Sequence, residues 1–324
     1  MEALTMIYPP NKPLERALEP SKHPIMYDYL LFIDANKKGE LIVGSSNISG
    51  TYWEGTLHHY ESFKSLKENF YSGYFISNTT TSDALFLDDN NVLLSEDNGT
   101  LLILNTEENN YNLLSCRKKF SKSQRVTKLS TWGSYKAIAS YGASIDVYDL
   151  ESDPITLENT YCYYHTDVIR CVDTNKSDLN LFSSCSMDRK ACVWDIRLKN
   201  PANVMYQNEF CPLNSIIWLQ DSPHLIIGSD SGDVYSLDIR KPKEILNITG
   251  CFNNSIYRMA HNNNNLIAIC GDTSQIIILK FTANGEFEKI KQINDHSSVV
   301  RGVTWCNNTL YSCGYNKEVF SNQI

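Results

Sequence analysis

The stretch HTDVIRCVDTNKSDLNLFSSCSMDRKACVWD, His165 to Asp195, decides the fold. It opens with an apolar run, Val168-Ile169-Arg170-Cys171-Val172, followed by a polar connection and a second run, Leu181-Phe182-Ser183-Ser184. A tight turn at Met187-Asp188-Arg189 leads to a third run that closes on Trp194-Asp195. Short runs rich in β-branched and apolar residues, bounded by Asn, Asp and Ser, are strand signals. The segment therefore reads as three consecutive antiparallel strands.

His in the leading loop, Asp in the turn and Trp-Asp at the end of the third strand make up the WD-repeat signature. Laying the same register along the chain places Tyr60, Leu104, Tyr148, Trp194, Leu237, Leu279 and Asn322 at equivalent positions, spaced 44, 44, 46, 43, 42 and 43 residues apart. A four-stranded propeller blade takes about 40–45 residues. Short turns precede most of these positions, at Asn98-Gly99, Gly142-Ala143, Asp188-Arg189, Ser231-Gly232 and Asn316-Lys317. The expectation is an all-β, seven-bladed WD-repeat propeller over residues 26–324. The seventh unit reaches its third strand near Glu318-Val319-Phe320, close to Ile324. Residues 1–25, with Leu4 to Tyr8 the most strand-like, are the expected donors of a closing strand, because an open edge would leave backbone groups unpaired.

Composition narrows the function. The chain has 324 residues, 29 Lys+Arg against 37 Asp+Glu and a net charge of −8, with 42% hydrophobic residues. That is core enough for a folded protein. An acidic chain without a Lys/Arg block is poorly suited to binding nucleic acid, whereas a basic peptide or protein is welcome. The proline-bearing start lacks the apolar stretch of a secretory leader. Runs such as Ile276-Ile277-Ile278-Leu279 fall far short of the ~20 residues that span a bilayer. Ten cysteines without a C-x-x-C pair are expected to be reduced and mostly buried, in cytoplasm or nucleus.

Three groups of residues carry chemistry. His165, Ser184, Asp188 and Trp194 resemble a catalytic set when written in a row. In this repeat they are expected to form a buried hydrogen-bond relay that satisfies groups costing about 1–3 kcal/mol each if left unpaired. His58 and His59 are neighbours on a strand, so they point to opposite faces and cannot chelate one ion together. No nucleotide, metalloprotease or nucleophile-elbow motif occurs, so no cofactor or metal is expected and a non-catalytic role is. Trp194-Asp195-Ile196-Arg197, echoed by Leu237-Asp238-Ile239-Arg240, resembles the box by which some WD proteins dock on the adaptor of cullin-4 ubiquitin ligases. The plainer reading pairs Arg197 and Arg240 with acids of the outer strands. In the first unit, Ser45 to Glu54 is longer than its counterpart Ser184 to Asp188. The insertion Asn47-Ile48-Ser49-Gly50-Thr51-Tyr52-Trp53 ends in two aromatics, a device for engaging a partner.

Leu41-Ile42-Val43-Gly44-Ser45-Ser46 with Ser49-Gly50-Thr51-Tyr52-Trp53-Glu54-Gly55 resembles the first blade of the methylosome protein 50 family. These are WD-repeat partners of protein arginine methyltransferase 5. His296-Ser297-Ser298-Val299-Val300-Arg301-Gly302-Val303-Thr304-Trp305 is similar to the family's last blade, and the Ser184–Arg197 stretch fits between. The resemblance implies a non-catalytic subunit seated on the methyltransferase N-terminal domain in a hetero-oligomer. It also implies presentation of Arg-rich substrates such as histones and Sm proteins, in cytoplasm and nucleus, with Trp53 inserting into the enzyme. Asp97 and Asn98, in the corresponding turn of the next unit, are expected beside it.

Overall fold

The computed structural model describes residues 24–324 except 48–53, 78, 111–112, 123, 202 and 263. Leu4 to Tyr8 and the rest of the expected closing segment before residue 24 lie outside the described residues. Among those described, 27 strands form six antiparallel sheets, with a single helix at Phe63–Lys67. Four sheets have four strands and one has three, Val300–Cys306, Thr309–Gly314 and Val319–Gln323. The remaining eight-stranded sheet is two four-stranded halves joined edge to edge by one parallel pairing, Tyr74 with Leu113.

The inner strands are Tyr29–Ala35, Thr81–Phe86, Val126–Trp132, Ile169–Thr174, Leu213–Trp218, Ile256–His261 and Val300–Cys306. Each packs against the next, and the last packs against the first, so they ring a central channel. This is an all-β propeller.

Every inner strand carries one β-bulge, in the same place. The bulged residues are Leu31, Ser82, Thr127, Arg170, Asn214, Tyr257 and Arg301, and all of them line the channel. A bulge sharpens strand twist and re-aims a side chain. Four residues beyond it, each inner strand meets the second strand opposite the position read as Trp194-like. Thr174 pairs with Phe182 and Phe182 with Trp194, just as Ala35 pairs with Leu41 and Leu41 with Tyr60.

The core lies between neighbouring sheets, not inside one central mass. Trp132, Ile138, Val147, Tyr161, Val172 and Trp194 fill one such layer, with Trp194 stacked on Phe182 at 5.7 Å and 2°. The second strands are buried on both faces, which is why they read as nearly unbroken apolar runs such as Leu225-Ile226-Ile227. The turns after them use left-handed residues: Gly99, Gly142, Arg189, Gly232, Asn316 and Lys317 all have φ between +54° and +91°.

Candidate functional site

The loop leading into each inner strand and the turn between second and third strands share one face. Met187 N donates to Val168 O at 2.9 Å, and Asp97 N donates to Thr80 O at 2.8 Å. From this face opens a cavity of about 1410 Å³ that follows the channel.

One bulge position deeper, Asp83 faces two cations. Its Oδ2 accepts from Lys128 Nζ at 2.7 Å and from Leu129 N at 3.2 Å, and its Oδ1 accepts from Arg258 Nη2 at 2.8 Å. Asp83 and Arg258 belong to the second and sixth inner strands, so this pair spans the channel. Burial alone would raise the Asp83 carboxyl, but Arg258 and Lys128 outweigh it and hold it below the ordinary value. Towards the other end, Asp34 accepts from Phe86 N at 2.9 Å and from Thr304 Oγ1 at 3.0 Å, tying the last, first and second inner strands together. With no ion-pair partner on it among the described residues, burial leaves the Asp34 carboxyl raised.

The structure brings His165, Ser184, Asp188 and Trp194 together. Trp194 Nε1 donates to Ser184 Oγ at 2.7 Å, Ser184 donates to His165 Nε2 at 2.8 Å, and His165 Nδ1 donates to Asp188 Oδ2 at 2.9 Å. With these donor and acceptor roles every proton in the chain of bonds has one acceptor. Burial would raise the Asp188 carboxyl; the His165 contact and the N–H groups of Lys190 and Thr166 prevail and hold it low. Ser184 is wholly buried and His165 is 3% exposed, so the serine hydroxyl has no open face towards a substrate.

A second relay escaped the sequence reading. His296 Nε2 accepts from Ser312 Oγ at 2.8 Å, with Nδ1 3.6 Å from Glu318, in the last unit. The available signal was spacing, since His296 precedes Val300 as His165 precedes Ile169. In the other units Val43, Leu94, Ala139, Ile227 and Ile269 occupy the serine position. Those side chains are apolar, so no relay can form there.

Arg197 does not reach the outer strands. Its Nε and Nη2 donate to Asp195, two residues back, at 2.8 and 2.5 Å. Arg240 grips Asp238 in the same way at 2.9 and 2.6 Å. The expected pairing with outer-strand acids is corrected accordingly: a carboxylate two positions away on the same strand end is closer than any neighbour. His58 and His59 are both buried; His59 Nδ1 is 2.9 Å from Ser72 Oγ, and burial pushes the His58 imidazole down to about 4. Among the described residues no three His, Cys, Asp or Glu side chains are placed to hold a metal ion. Five of the ten cysteines are buried, where most were expected to be, and Cys116 and Cys162 are exposed, on the outer strand Leu113–Ser121 and in a leading loop.

Ser49, Gly50, Thr51, Tyr52 and Trp53 lie outside the described residues. The base of their loop is fixed: Asn47 N donates to Glu54 O at 2.8 Å, and Glu54 Oε2 accepts from Tyr27 Oη at 2.6 Å. Gly55 abuts the next unit so closely that a Cβ there would stand 2.6 Å from Thr81 N. Asp97 is bonded to Thr80 of that same segment and pairs with Arg125. Asn98 shapes its turn by accepting from Thr100 N at 2.9 Å.

This geometry agrees with sequence comparison. Residues 157–195, which hold the complete relay, match the WD domain, G-beta repeat family. The chain is a WD-repeat propeller. It is similar to Methylosome protein WDR77 of Xenopus laevis, 20% identical over 284 residues that cover 83% of this chain and 80% of that one. It is also similar to Protein valois of Drosophila melanogaster, 23% identical over 56% of this chain and 52% of the relative. A chain in the crystal structure of a mitotic checkpoint complex superposes with a TM-score of 0.74 at 13% identity, covering 93% of this chain and 88% of that one, a likeness of fold. The WD-repeat propeller thus shares its architecture with a checkpoint-complex chain and, distantly, its sequence with the Xenopus methylosome protein.

Proposed function

We propose that this chain is a seven-bladed propeller, its last sheet completed by residues 1–25, that serves as the non-catalytic scaffold of an arginine methyltransferase complex. The observation that carries the reading is the likeness to the Xenopus methylosome protein along 83% of the chain. It falls on the same family that the Ser49–Trp53 insertion and the last-unit motif resemble. The seven bulged inner strands support the blade count. In this reading Trp53, Tyr52 and Thr51 engage the N-terminal domain of protein arginine methyltransferase 5, with Asp97 and Asn98 at the border of the contact. The hetero-oligomer presents Arg-rich proteins such as histones and Sm proteins, in cytoplasm and nucleus. A wholly buried Ser184 supports a structural use of the relay.

Capture of partners on the tagged full-length chain, with mass spectrometry, tests this. Recovery of the methyltransferase is expected. Recovery of a cullin-4 ligase adaptor in its place would transfer the reading to the surface of Trp194, Asp195 and Arg197. Substrate turnover by the purified chain alone would overturn the scaffold.

A further inference from the structure

The channel mouth is where this acidic chain gathers positive charge. Arg170, Asn214, Tyr257 and Arg301 occupy consecutive bulge positions and form one arc of the mouth. The Arg301 guanidinium lies 4.4 Å over the Tyr257 ring and donates to Asp272 at 2.6 Å. Arg170 is exposed and its side chain has no hydrogen bond or ion pair among the described residues. The nearby carboxylates of its own unit are already engaged: Asp167 accepts from Val168 N at 2.7 Å, Asp173 accepts from Ser130 Oγ at 3.0 Å and from Trp218 N at 2.8 Å, and Asp188 belongs to the relay. Just below, Lys128 and Arg258 share the one carboxylate of Asp83, which leaves a cation in surplus.

Beside these cations stands an aromatic in costly backbone geometry. Tyr163 has φ +69° and a side chain 94% exposed, at the rim of the same cavity. A bulky residue in the left-handed region is uncommon, and such strain collects at binding sites.

We infer that the mouth docks an anionic segment of a partner protein, a peptide with clustered Glu and Asp side chains or a phosphorylated residue. Its anion meets the free fork of Arg170 and the surplus charge of the Lys128–Arg258 pair, and its flanks lie on Tyr163 and Tyr257. Arginine forks match carboxylate and phosphate oxygens in pairs, and low-dielectric walls focus the field of the mouth. This site does not rest on the methyltransferase reading. It would repel Arg-rich substrates, which must then lie elsewhere on the propeller.

The test is fluorescence anisotropy on the full-length chain with three labelled peptides of equal length: glutamate-rich, the same with a central phosphoserine, and lysine-rich. The two acidic peptides should bind, and more weakly as salt rises, while the lysine-rich one should not. Tighter binding of the phosphoserine peptide, with competition by inorganic phosphate, assigns the anion to phosphate; equal or weaker binding assigns it to carboxylates. Arg170→Glu should lower affinity by about tenfold or more and Arg170→Lys by less. Tyr163→Ala, a second exposed position, should lower it by roughly threefold. Acidic peptides that bind no better than the lysine-rich one, or full affinity retained in both Arg170→Glu and Tyr163→Ala, would overturn the site.

Discussion

Arg258 and Asp83 stand 175 residues apart in the chain and meet across the channel at 2.8 Å. Asp83 is 1% exposed and Arg258 12%, so this is a buried ion pair with a second cation, Lys128, on the same carboxylate. Desolvation makes such a pair a doubtful net gain, but removing one partner strands the others. Asp83→Asn is therefore expected to destabilise the protein by about 3–5 kcal/mol. Replacing both members, Asp83→Asn with Arg258→Met, should cost less than Asp83→Asn alone. Urea midpoints of the parent, Asp83→Asn, Arg258→Met and the double variant check the order, and additivity of the two single changes would contradict direct coupling.

The relay makes a smaller claim on stability. His165→Ala or Asp188→Ala should each cost about 1–3 kcal/mol by leaving buried groups unpaired. Binding to the methyltransferase should weaken only as far as folding does. Unchanged thermal unfolding in both variants would show that the four residues are not a working unit.

Acid should destabilise the fold by way of histidine. His58 is neutral and buried, its value lowered from 6.5 to about 4. Above 6.5 both the folded and the unfolded states are neutral there, so His58 contributes no pH dependence. Between 6.5 and 4 only the unfolded state takes up the proton, so stability falls as pH falls, by about 3 kcal/mol in all. Burial lowers His59, His224, His261 and His296 in the same direction. Asp188, held low, adds its loss only below the usual carboxylate range. His58→Gln should flatten the stability–pH curve in the upper window; a curve as steep as the parent's would place the proton uptake elsewhere.

Trp53→Ala should cost about 2–4 kcal/mol of methyltransferase binding, roughly thirty- to a thousand-fold, with the melting temperature little changed. Asp97→Ala should do much less, since its carboxylate is already paired with Arg125. Titration calorimetry beside thermal melts separates these outcomes. A Trp53 variant that binds normally, or that unfolds, means the indole packs on its own unit.

Deleting residues 1–25 should lower the melting temperature and promote aggregation, because in the proposed closure the last sheet would then keep an unpaired edge. A truncated protein with the parent's melting curve would assign that segment no place in the last sheet.

Much of the fold was legible because a propeller repeats one short structural unit. The Trp194 position tolerates Tyr60, Leu104 or Leu279, since what that site demands is an apolar body facing the next sheet, and spacing survives where identity does not. The His165 relay was legible because its four residue types fit only each other. Its partner at His296 and Ser312 was missed because Asn322 stands where the indole would, which removes the most visible member. The Arg258–Asp83 strut was not readable at all. A contact across the channel depends on how the ring closes, and nothing local to either residue signals the other. The bulges were equally silent, for their cause is a shared twist and not a shared side chain.

The seam between the last and first inner strands has a consequence for how the molecule is made. Thr304 reaches Asp34, and Cys306 Sγ reaches Asn36 O, each over 270 residues of chain. On the ribosome, Asp34 can meet Phe86 early but waits for Thr304 while almost everything that follows it is synthesised. Neighbouring units can stack as they emerge, from contacts that are local in sequence, but the circle is joined last and at the greatest loop-closure cost. Until then both terminal faces, including wholly buried Leu30 on one and Cys313 on the other, are open to water and to other chains. The seam is thus the place where newly made copies need a chaperone most, and where a mature copy first opens when it unravels.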